Sequence, residues 1–408
     1  MEFVPTTHSI QYLHNNLATF MRPQQRQVAA HFQPARAWVQ YQPLGVVGIL
    51  SPWNQPLALN LIPLATALAA GNRVMLKPSE LTPRTAALLQ RMMAELFPPE
   101  QVAVVTGDAQ VGAAFSALPF DHLMFSGSTQ VGRAVMRSAS DNLVPVTLEL
   151  GGKSPAIIDR GADLQRTAKA LAYGKLSNAG QTCIAPDYVL VHADNIDAFA
   201  NAYQAAVVTA YPGGAADTGY TAIINAHHHA RLRRLIDDAA ARGAQVIEIG
   251  ASTIAPPQAP SPQLYIVPQT LILGATPDMA VMREEIFGPI LPVVAYQELK
   301  EAVAFVNARP RPLALYMFSN RGSAINHVLK HTTSGGAAIN DTMLHYAQDD
   351  LPFGGVGASG IGAYHGEEGF RRFSHAKGVF KQSIFFPARL VRAPFGKLTD
   401  LALRWLLR

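Results

Sequence analysis

The chain contains a single cysteine, Cys183, and its surroundings differ from those of a typical core residue. It ends the segment Asn178-Ala-Gly-Gln-Thr-Cys183, whose small and polar residues predict a loop that leads into a strand at residues 188–191. One cysteine has no partner for an intramolecular disulfide, so it is either a small buried hydrophobic residue or a reactive thiol. The lack of disulfide-forming pairs also predicts a reducing compartment, and we expect a cytoplasmic protein.

A glutamate precedes this cysteine, inside an apolar and β-prone run. Glu149 lies in the segment Val146-Thr-Leu-Glu-Leu150, which two glycines follow at residues 151 and 152. Burial of a carboxylate in such a run is costly. The structural alternatives are a solvent-facing strand end and an ion pair with Lys153. The functional alternative is a general base with a raised pKa at the carboxyl end of a strand, and the local context leaves all three open.

Two further segments follow predicted strands, where ligands bind in α/β sheets. The turn Gly127-Ser-Thr-Gln-Val-Gly132 opens a predicted helix, so it is either a phosphate site built on free helix-start amides or a simple helix start. Lys77 and Glu80 follow another strand. Their alternatives are a solvated loop pair and a ligand site.

These segments together resemble the NAD(P)-dependent aldehyde dehydrogenase superfamily. The resemblance covers residues 41–380 and is nearest to the coniferyl-aldehyde dehydrogenase type, close to the class 3 branch. The motifs that carry it, in the order usual for the family, are Ser51-Pro-Trp-Asn54, Leu76-Lys-Pro-Ser-Glu80, Phe125-Ser-Gly-Ser-Thr-Gln-Val-Gly132, Leu148-Glu-Leu-Gly-Gly-Lys153, Gly180-Gln-Thr-Cys183, Glu284-Glu-Ile-Phe-Gly-Pro289 and Pro352-Phe-Gly-Gly355. Any one of them is a weak signal, whereas the whole set in one order is specific.

The resemblance implies a role for each residue of the site. Cys183 is implied as the nucleophile, Glu149 as the base, and Asn54 as a donor to the substrate oxygen beside the Cys183 backbone N–H. The residues implied to bind the cofactor are Trp53, Lys77, Glu80, Gly127, Ser128, Glu285 and Phe287. Lys77 and Glu80 are implied to hold the adenosine ribose, where a carboxylate repels a 2′-phosphate. We therefore expect NAD, with NADP left open, and no metal.

The order of predicted elements indicates the fold class. Strands alternate with helices through most of the chain, which predicts an α/β protein with a doubly wound, mostly parallel sheet. The resemblance implies a Rossmann-like NAD(P)-binding domain at residues 1–150, an α/β catalytic domain at residues 151–345, and a C-terminal bridging and oligomerisation segment with a tail at residues 346–408. A β arm, made of a hairpin near residues 26–42 and a strand near residues 371–384, is implied to build a homodimer or a higher homo-oligomer. The resemblance also implies further helices ahead of the segment that begins here at Met1, and we expect their absence to affect stability and cofactor affinity more than catalysis.

Composition and charge exclude several classes of function. The chain is 49% hydrophobic and 15% charged, as expected of a protein with a large core. Its net charge is +5, but the 33 basic residues are scattered, so nucleic acid is not an expected partner. The apolar run at residues 57–70 is too short and interrupted for a membrane span. Consecutive helical residues point in different directions, so His227-His-His229 predicts a solvated helix and not a metal site.

Two segments are predicted to carry no chemistry. These are the proline-rich loop at residues 255–262 and the basic amphipathic tail at residues 395–408. We expect the tail to pack on the protein or on a dimer partner and not on a membrane.

The leading prediction is oxidation of an aldehyde to its carboxylate through a thioester on Cys183, with an aromatic aldehyde such as coniferyl aldehyde favoured. The alternatives are a thioester-forming hydrolase or acyltransferase without nicotinamide, and a catalytically impaired, truncated paralogue.

Overall fold

The computed structural model describes residues 2–250, 265–385, 393 and 395–406, so the predicted proline-rich loop at residues 255–262 lies outside the described residues. The strands are β1 (Gln24–Arg26), β2 (Arg36–Pro43), β3 (Val46–Leu50), β4 (Arg73–Lys77), β5 (Val102–Val104), β6 (His122–Gly127), β7 (Val146–Leu150), β8 (Pro155–Ile158), β9 (Tyr188–His192), β10 (Gln245–Ile249), β11 (Gln269–Leu273), β12 (Ile290–Tyr296), β13 (Ala314–Phe318), β14 (Gly336–Ile339), β15 (Gly360–Ile361) and β16 (Ser374–Lys381). The helices are α1 (Phe3–Phe20), α2 (Ala58–Ala69), α3 (Pro83–Leu96), α4 (Ala109–Ser116), α5 (Thr129–Ser140), α6 (Leu164–Leu176), α7 (Ile196–Ala210), α8 (Ala226–Ala241), α9 (Ala280–Arg283), α10 (Leu299–Asn307), α11 (Gly322–His331), α12 (Gly366–Arg372) and α13 (Lys397–Leu406).

The first large sheet has the strand order β15-β7-β6-β3-β4-β5, and its pairs are parallel except β15 with β7. Its strands are largely buried apolar runs, as expected where elements cover both faces of a parallel sheet, and every residue of β7 is buried. At or just beyond the carboxyl ends of its parallel strands lie Ser51, Lys77, Gly127 and Glu149. Ligand sites of α/β sheets form at this edge, so the topology gathers the predicted site segments there.

The second large sheet has the order β10-β11-β12-β9-β8-β13-β14 and is parallel except for the pair β10 and β11. The chain passes directly from β7 of the first sheet to β8 of the second through residues 151–154. Cys183 lies between the end of α6 and the start of β9. The two sheets therefore bring Glu149 and Cys183 to one junction. The division of the chain at residues 150 and 345 stays a prediction.

A small antiparallel sheet has the order β1-β2-β16 and contains the two segments of the predicted arm. Strand β16 pairs with β2 along its whole length, from Ser374 opposite Pro43 to Lys381 opposite Arg36. Most residues of β16 are exposed, and its second edge has no neighbouring strand among the described residues.

Helix α1 packs on α2 and α12 and is attached to a loop that borders the site. Its Ser9 hydroxyl donates to the Asp349 carboxylate, and its Tyr12 hydroxyl donates to the Asp350 carboxylate. Just ahead of α1, the Glu2 carboxylate accepts the backbone N–H groups of Leu57 and Ala58 at the start of α2. The first helix therefore holds the loop and α2 at fixed positions beside the cavity.

The C-terminal helix α13 presents apolar side chains to solvent. Leu398 is 66% exposed and Leu401 is 68% exposed. These side chains do not pack on their own protomer, so of the two expected alternatives packing on a dimer partner stays a prediction for them. Over the described part of the chain, we find no helix with the length and apolarity that crossing a bilayer requires.

Candidate active site

A cavity of about 280 Å³ is lined by residues from both large sheets. It brings together most of the predicted site residues: Trp53, Asn54, Gly127, Ser128, Glu149, Cys183, Glu285 and Phe287. Lys77 and Glu80 lie apart from this lining, at and beyond the end of β4.

The loop that presents Cys183 has an unusual backbone. A 3-10 turn at Ser177–Gly180 contains Asn178 at φ 52° and Ala179 at φ 50°, and Gly180 follows at φ +73°. Residues other than glycine rarely adopt this left-handed region, so the surrounding structure must hold it. A Cβ at Gly180 would overlap the carbonyl oxygen of Gly288, which shows how closely the Cys183 loop packs on the Glu285 loop.

Asn54 is tied to the same loop by two hydrogen bonds. Its Nδ2 donates to the Gln181 carbonyl oxygen at 3.1 Å, and its own carbonyl oxygen accepts Asn178 Nδ2 at 2.9 Å. An amide nitrogen carries two N–H groups, so one remains for a ligand in the cavity. The arrangement fits Asn54 as a donor to an oxygen near Cys183.

Glu149 is buried without a partner. Its side chain is 6% exposed, and among the described residues neither carboxyl oxygen has a hydrogen-bond partner. Burial raises its pKa well above the usual 4.5. Lys153 binds Asp187 and not Glu149, so both structural alternatives, a solvent-facing carboxylate and an ion pair with Lys153, are wrong.

The thiol of Cys183 is half-buried in the cavity wall. Burial, together with the nearby carboxyl groups of Glu285 and Glu149, raises its pKa to about 12. The thiol is therefore protonated at neutral pH, and a nucleophilic sulfur requires a base that removes its proton. Glu149 lines the same cavity and has a basicity well above that of an ordinary carboxylate.

A buried ion pair holds the loop that carries Glu285. Lys153 Nζ donates to the Asp187 carboxylate, and also to the backbone oxygens of Val281 at 2.8 Å and Glu284 at 2.9 Å. The other oxygen of Asp187 accepts the backbone N–H of Ile286 at 2.9 Å. Lys153 lies directly after the Gly151-Gly152 turn, so it links the end of the Glu149 segment to the loop across the cavity.

Glu285 and Phe287 form one wall of the cavity. Burial raises the pKa of Glu285 to about 7, helped by the nearby Asp187. Phe287 has φ 48°, and its ring meets the Trp53 ring edge to face with centroids 5.4 Å apart. Arg231 supports this wall because its guanidinium donates to the backbone oxygens of Glu285, at 3.0 Å, and Ile286.

The structure places the predicted phosphate segment at the start of α5 and the predicted ribose segment at the end of β4. Ser128 is the N-cap of α5, and its Oγ accepts the Val131 backbone N–H at 3.4 Å. The first amides of a helix have no partner within the helix, and here they lie beside the cavity. Lys77 is only 4% exposed and pairs with Glu80 at 3.1 Å, so the alternative of a solvated loop lysine is wrong.

Several cavity residues were not predicted from the sequence. They are His228 and Arg231 of α8, together with Met343, Tyr346, Phe353 and Tyr364 from the late loops. The expectation of a wholly solvated His227–His229 helix surface is wrong for His228, whose ring lies 5.4 Å from that of Trp53. The spacing of three between His228 and Arg231 places both on one helix face, and this spacing was the sequence signal that could have found them.

In the described parts of the chain, no three His, Cys, Asp or Glu side chains are grouped in a way that suits a metal ion.

The aldehyde dehydrogenase family model matches residues 4–379. A "probable coniferyl aldehyde dehydrogenase" of Pseudomonas aeruginosa is 52% identical over 396 residues, which are 97% of this chain and 81% of that protein. The coniferyl aldehyde dehydrogenase of a Pseudomonas species, strain HR199, is 48% identical over 94% of this chain and 79% of its own length. Aldehyde dehydrogenase family 3 member A2 of the rat is 42% identical over 84% of this chain and 68% of its own.

Solved structures agree with these relatives. The structure of Staphylococcus aureus AldH in a substrate-bound state is similar with a TM-score of 0.92 and 37% identity, covering 100% of this chain and 86% of that chain. A Mycobacterium tuberculosis aldehyde dehydrogenase complexed with NAD+ has a TM-score of 0.83 at 29% identity, covering 93% of this chain and 77% of its own. The alternatives without nicotinamide find no support in these comparisons. The protein therefore belongs to the aldehyde dehydrogenase family and is an NAD(P)-dependent enzyme that oxidises aldehydes.

Proposed function

We propose that Cys183, Glu149 and Asn54 oxidise an aromatic aldehyde to its carboxylate with NAD. The observation that carries this proposal is the meeting, in one cavity, of a half-buried thiol and a buried carboxyl group whose oxygens are unpartnered among the described residues. A nucleophile and a strong base in one enclosed site are the parts that covalent catalysis needs.

The first half of the reaction forms a thioester. The Glu149 carboxylate accepts the proton of Cys183 Sγ, and the sulfur attacks the aldehyde carbon to give a thiohemiacetal. Asn54 Nδ2 and the Cys183 backbone N–H donate to the oxygen of this adduct. The backbone N–H groups of Cys183 and Ile184 also interact with the sulfur and lower the pKa of the thiol. When bound, the nicotinamide supplies the acceptor for the two electrons and the hydrogen that leave the thiohemiacetal.

The second half hydrolyses the thioester. Glu149, again as the carboxylate, accepts a proton from a water molecule, and the resulting oxygen nucleophile attacks the carbonyl carbon. The C–S bond breaks, and the Cys183 thiolate takes up the proton of the carboxylic acid that forms. The raised pKa of Glu149 makes it a stronger base than a free glutamate. Base catalysis of this kind contributes about 10²–10⁴ in rate.

The residues present fit a dinucleotide, and the charges favour NAD over NADP. The start of α5 with Gly127 and Ser128 suits the pyrophosphate, and Glu285 and Phe287 suit the nicotinamide side of the cavity. Lys77 is already paired with Glu80, so its charge is largely neutralised where the ribose hydroxyls would bind. The Glu80 carboxylate would repel a 2′-phosphate there.

An aromatic aldehyde fits the walls of the cavity. The rings of Trp53, Phe287, Tyr346, Phe353 and Tyr364 line it, and planar substrates pack well against such surfaces. Two of the most similar relatives are named for coniferyl aldehyde.

The small sheet suits self-association. The outer edge of β16 is long and exposed, and natural proteins seldom leave such an edge unpaired. We propose that it pairs with a second copy in a homodimer or a higher homo-oligomer. We also place the enzyme in the cytoplasm, where its single thiol would stay reduced.

To test this proposal, we would compare turnover and cofactor binding between the wild type and Cys183→Ser. We would follow the reduced-nicotinamide absorbance with aromatic and aliphatic aldehydes, each with NAD and NADP, and titrate NAD by protein fluorescence. We expect the highest kcat/KM with an aromatic aldehyde and NAD, and no turnover but near-normal NAD binding in Cys183→Ser. Equal loss of turnover and binding in the variant would assign Cys183 a structural role, and a preference for aliphatic aldehydes would refute the substrate class.

A further inference from the structure

A group of buried polar atoms with few partners belongs to Glu149 and to the late loops that line the cavity. Among the described residues, they include both oxygens of Glu149 and both ring nitrogens of His345 and His365, while the hydroxyls of Tyr346 and Tyr364 have only each other. Native proteins satisfy almost all buried polar groups, and where protein atoms do not reach them, bound water does. So many unpaired donors and acceptors in one place indicate a hydrated polar channel inside the fold.

Tyr346, Tyr364 and His365 are contiguous, and His345 reaches this group through the ring of Phe353. The His365 ring centroid lies 4.5 Å from that of Tyr364 and 4.9 Å from that of Tyr346. Phe353 packs among them, 5.1 Å from His365 and 6.2 Å from His345. The two tyrosines line the cavity, whereas the histidines lie behind them. Tyr364 is fully buried, while Tyr346 and His345 are half-buried, so the cluster extends from the cavity towards the surface.

The inner end of this cluster meets the reacting groups. Tyr346 and Tyr364 each influence the pKa of the other, and Glu149 and Cys183 influence both. Glu2, at the start of α1, is a further charged group that acts on Tyr346. The titratable groups that face the two tyrosines are therefore Glu149 and Cys183 on the inner side and Glu2 on the outer side.

The histidines are neutral members of the cluster. Burial lowers the pKa of His365 to about 3, with a further contribution from His345, and burial lowers the pKa of His345 to about 4. A neutral imidazole donates a hydrogen bond from one nitrogen and accepts one at the other, and a phenol hydroxyl also does both. Such groups pass a proton along without holding a charge.

The proposed reaction needs such a path. Oxidation of one aldehyde to a carboxylate consumes one water, delivers a hydride to NAD and releases two protons. Glu149 accepts one proton from the thiol and one from the water, so it must lose a proton twice in each turnover. At 6% exposure it has little direct contact with solvent.

We propose that Tyr364, Tyr346, His365 and His345, with water molecules held between them, form the proton relay that carries protons from Glu149 towards solvent. The proposal rests on the role of Glu149 as the base. In each transfer, an O–H or N–H bond of one member breaks as the next member accepts the proton, and no electrons are exchanged. The relay members position and transfer protons, and Glu149 remains the catalytic base.

The test separates deacylation from every cofactor-dependent step. An activated ester such as 4-nitrophenyl acetate acylates a thiol without NAD, so nitrophenolate release gives a burst for acylation and a steady rate for deacylation. Tyr346→Phe and Tyr364→Phe remove only a hydroxyl and keep the ring contacts. Tyr296→Phe is the matched control, because it removes a buried hydroxyl that donates to the Ile158 carbonyl oxygen at 2.8 Å, away from the cavity.

We expect both relay variants to keep the burst and to lose at least about tenfold in the steady rate of deacylation. Concentrated imidazole buffer supplies a mobile proton carrier, so it should restore the steady rate. Tyr296→Phe should match the wild type in all three measurements. Unchanged steady rates in both relay variants, or losses that buffer does not restore, would overturn the relay. If Glu149→Gln also deacylates at the wild-type rate, the base assignment fails as well. If Glu149→Gln is slow while both tyrosine variants are normal, only the relay fails.

Discussion

Replacement of Glu149 by glutamine tests the proposed base most directly. The amide of the Glu149→Gln variant keeps the shape of the side chain but accepts no proton, so thioester hydrolysis should slow by about 10²–10⁴. Acyl-enzyme should then accumulate on Cys183, and NAD should bind nearly as in the wild type. Only the ionised form of Glu149 acts as a base, and burial raises its pKa. The wild-type rate should therefore rise with pH through an ionisation above 4.5.

The same substitution should change how stability depends on pH. Below about pH 4.5 the carboxyl group is protonated in both the folded and the unfolded chain. Between that value and the raised pKa of the folded state, the folded chain binds more protons, so the free energy of unfolding falls as pH rises. Each pH unit in this window costs the wild type about 1.4 kcal/mol, and the glutamine variant avoids this loss. The stability of Glu149→Gln relative to the wild type should therefore increase with pH.

Three measurements check this prediction. Intact-protein mass spectrometry after mixing with aldehyde and NAD should show the added acyl group, steady-state kinetics should show the fall in kcat, and urea unfolding at several pH values should show the diverging stabilities. Glu100→Gln is the control, because Glu100 lies in an exposed turn. Wild-type turnover in Glu149→Gln with no trapped acyl group would refute the base assignment. Parallel stability curves would refute the account of its burial.

Other residues give independent predictions. Glu80→Gln should raise the ratio of kcat/KM for NADP over that for NAD, and an unchanged ratio would place the ribose elsewhere. Gly180→Ala should lower the free energy of unfolding by at least about 1–2 kcal/mol, because φ +73° is strained for alanine, and should lower kcat. Gly322→Ala, where an added Cβ meets nothing within 4 Å, should lower neither. Lys153→Met should cost about 3–5 kcal/mol in urea unfolding because it leaves Asp187 buried and unpaired, and Asp187→Asn in the same chain should restore part of this loss.

Local sequence patterns predicted many of the elements that position the site. Helices α6 and α7 agree with the predicted alternation of strands and helices, because apolar residues recur there at helical spacing and clear breaks follow. Strand β7 was predicted from its β-prone run and from the glycines that follow it. Glu149 and Cys183 were candidate site residues for a local reason too, since a carboxylate in an apolar run and a lone thiol in a polar loop are both unusual. The family resemblance then supplied their roles.

By itself, the sequence determined the type and order of these elements and the residues able to do chemistry, because such signals depend on neighbours a few positions apart. Only the tertiary structure decided that Lys153 binds Asp187 instead of Glu149, and that Glu149 is buried with no partner among the described residues. It alone brought His228 and Tyr364 to the cavity, from segments far apart in the chain. The physical reason is that burial, and the pKa shifts that follow from it, depend on which distant segments exclude water from a group.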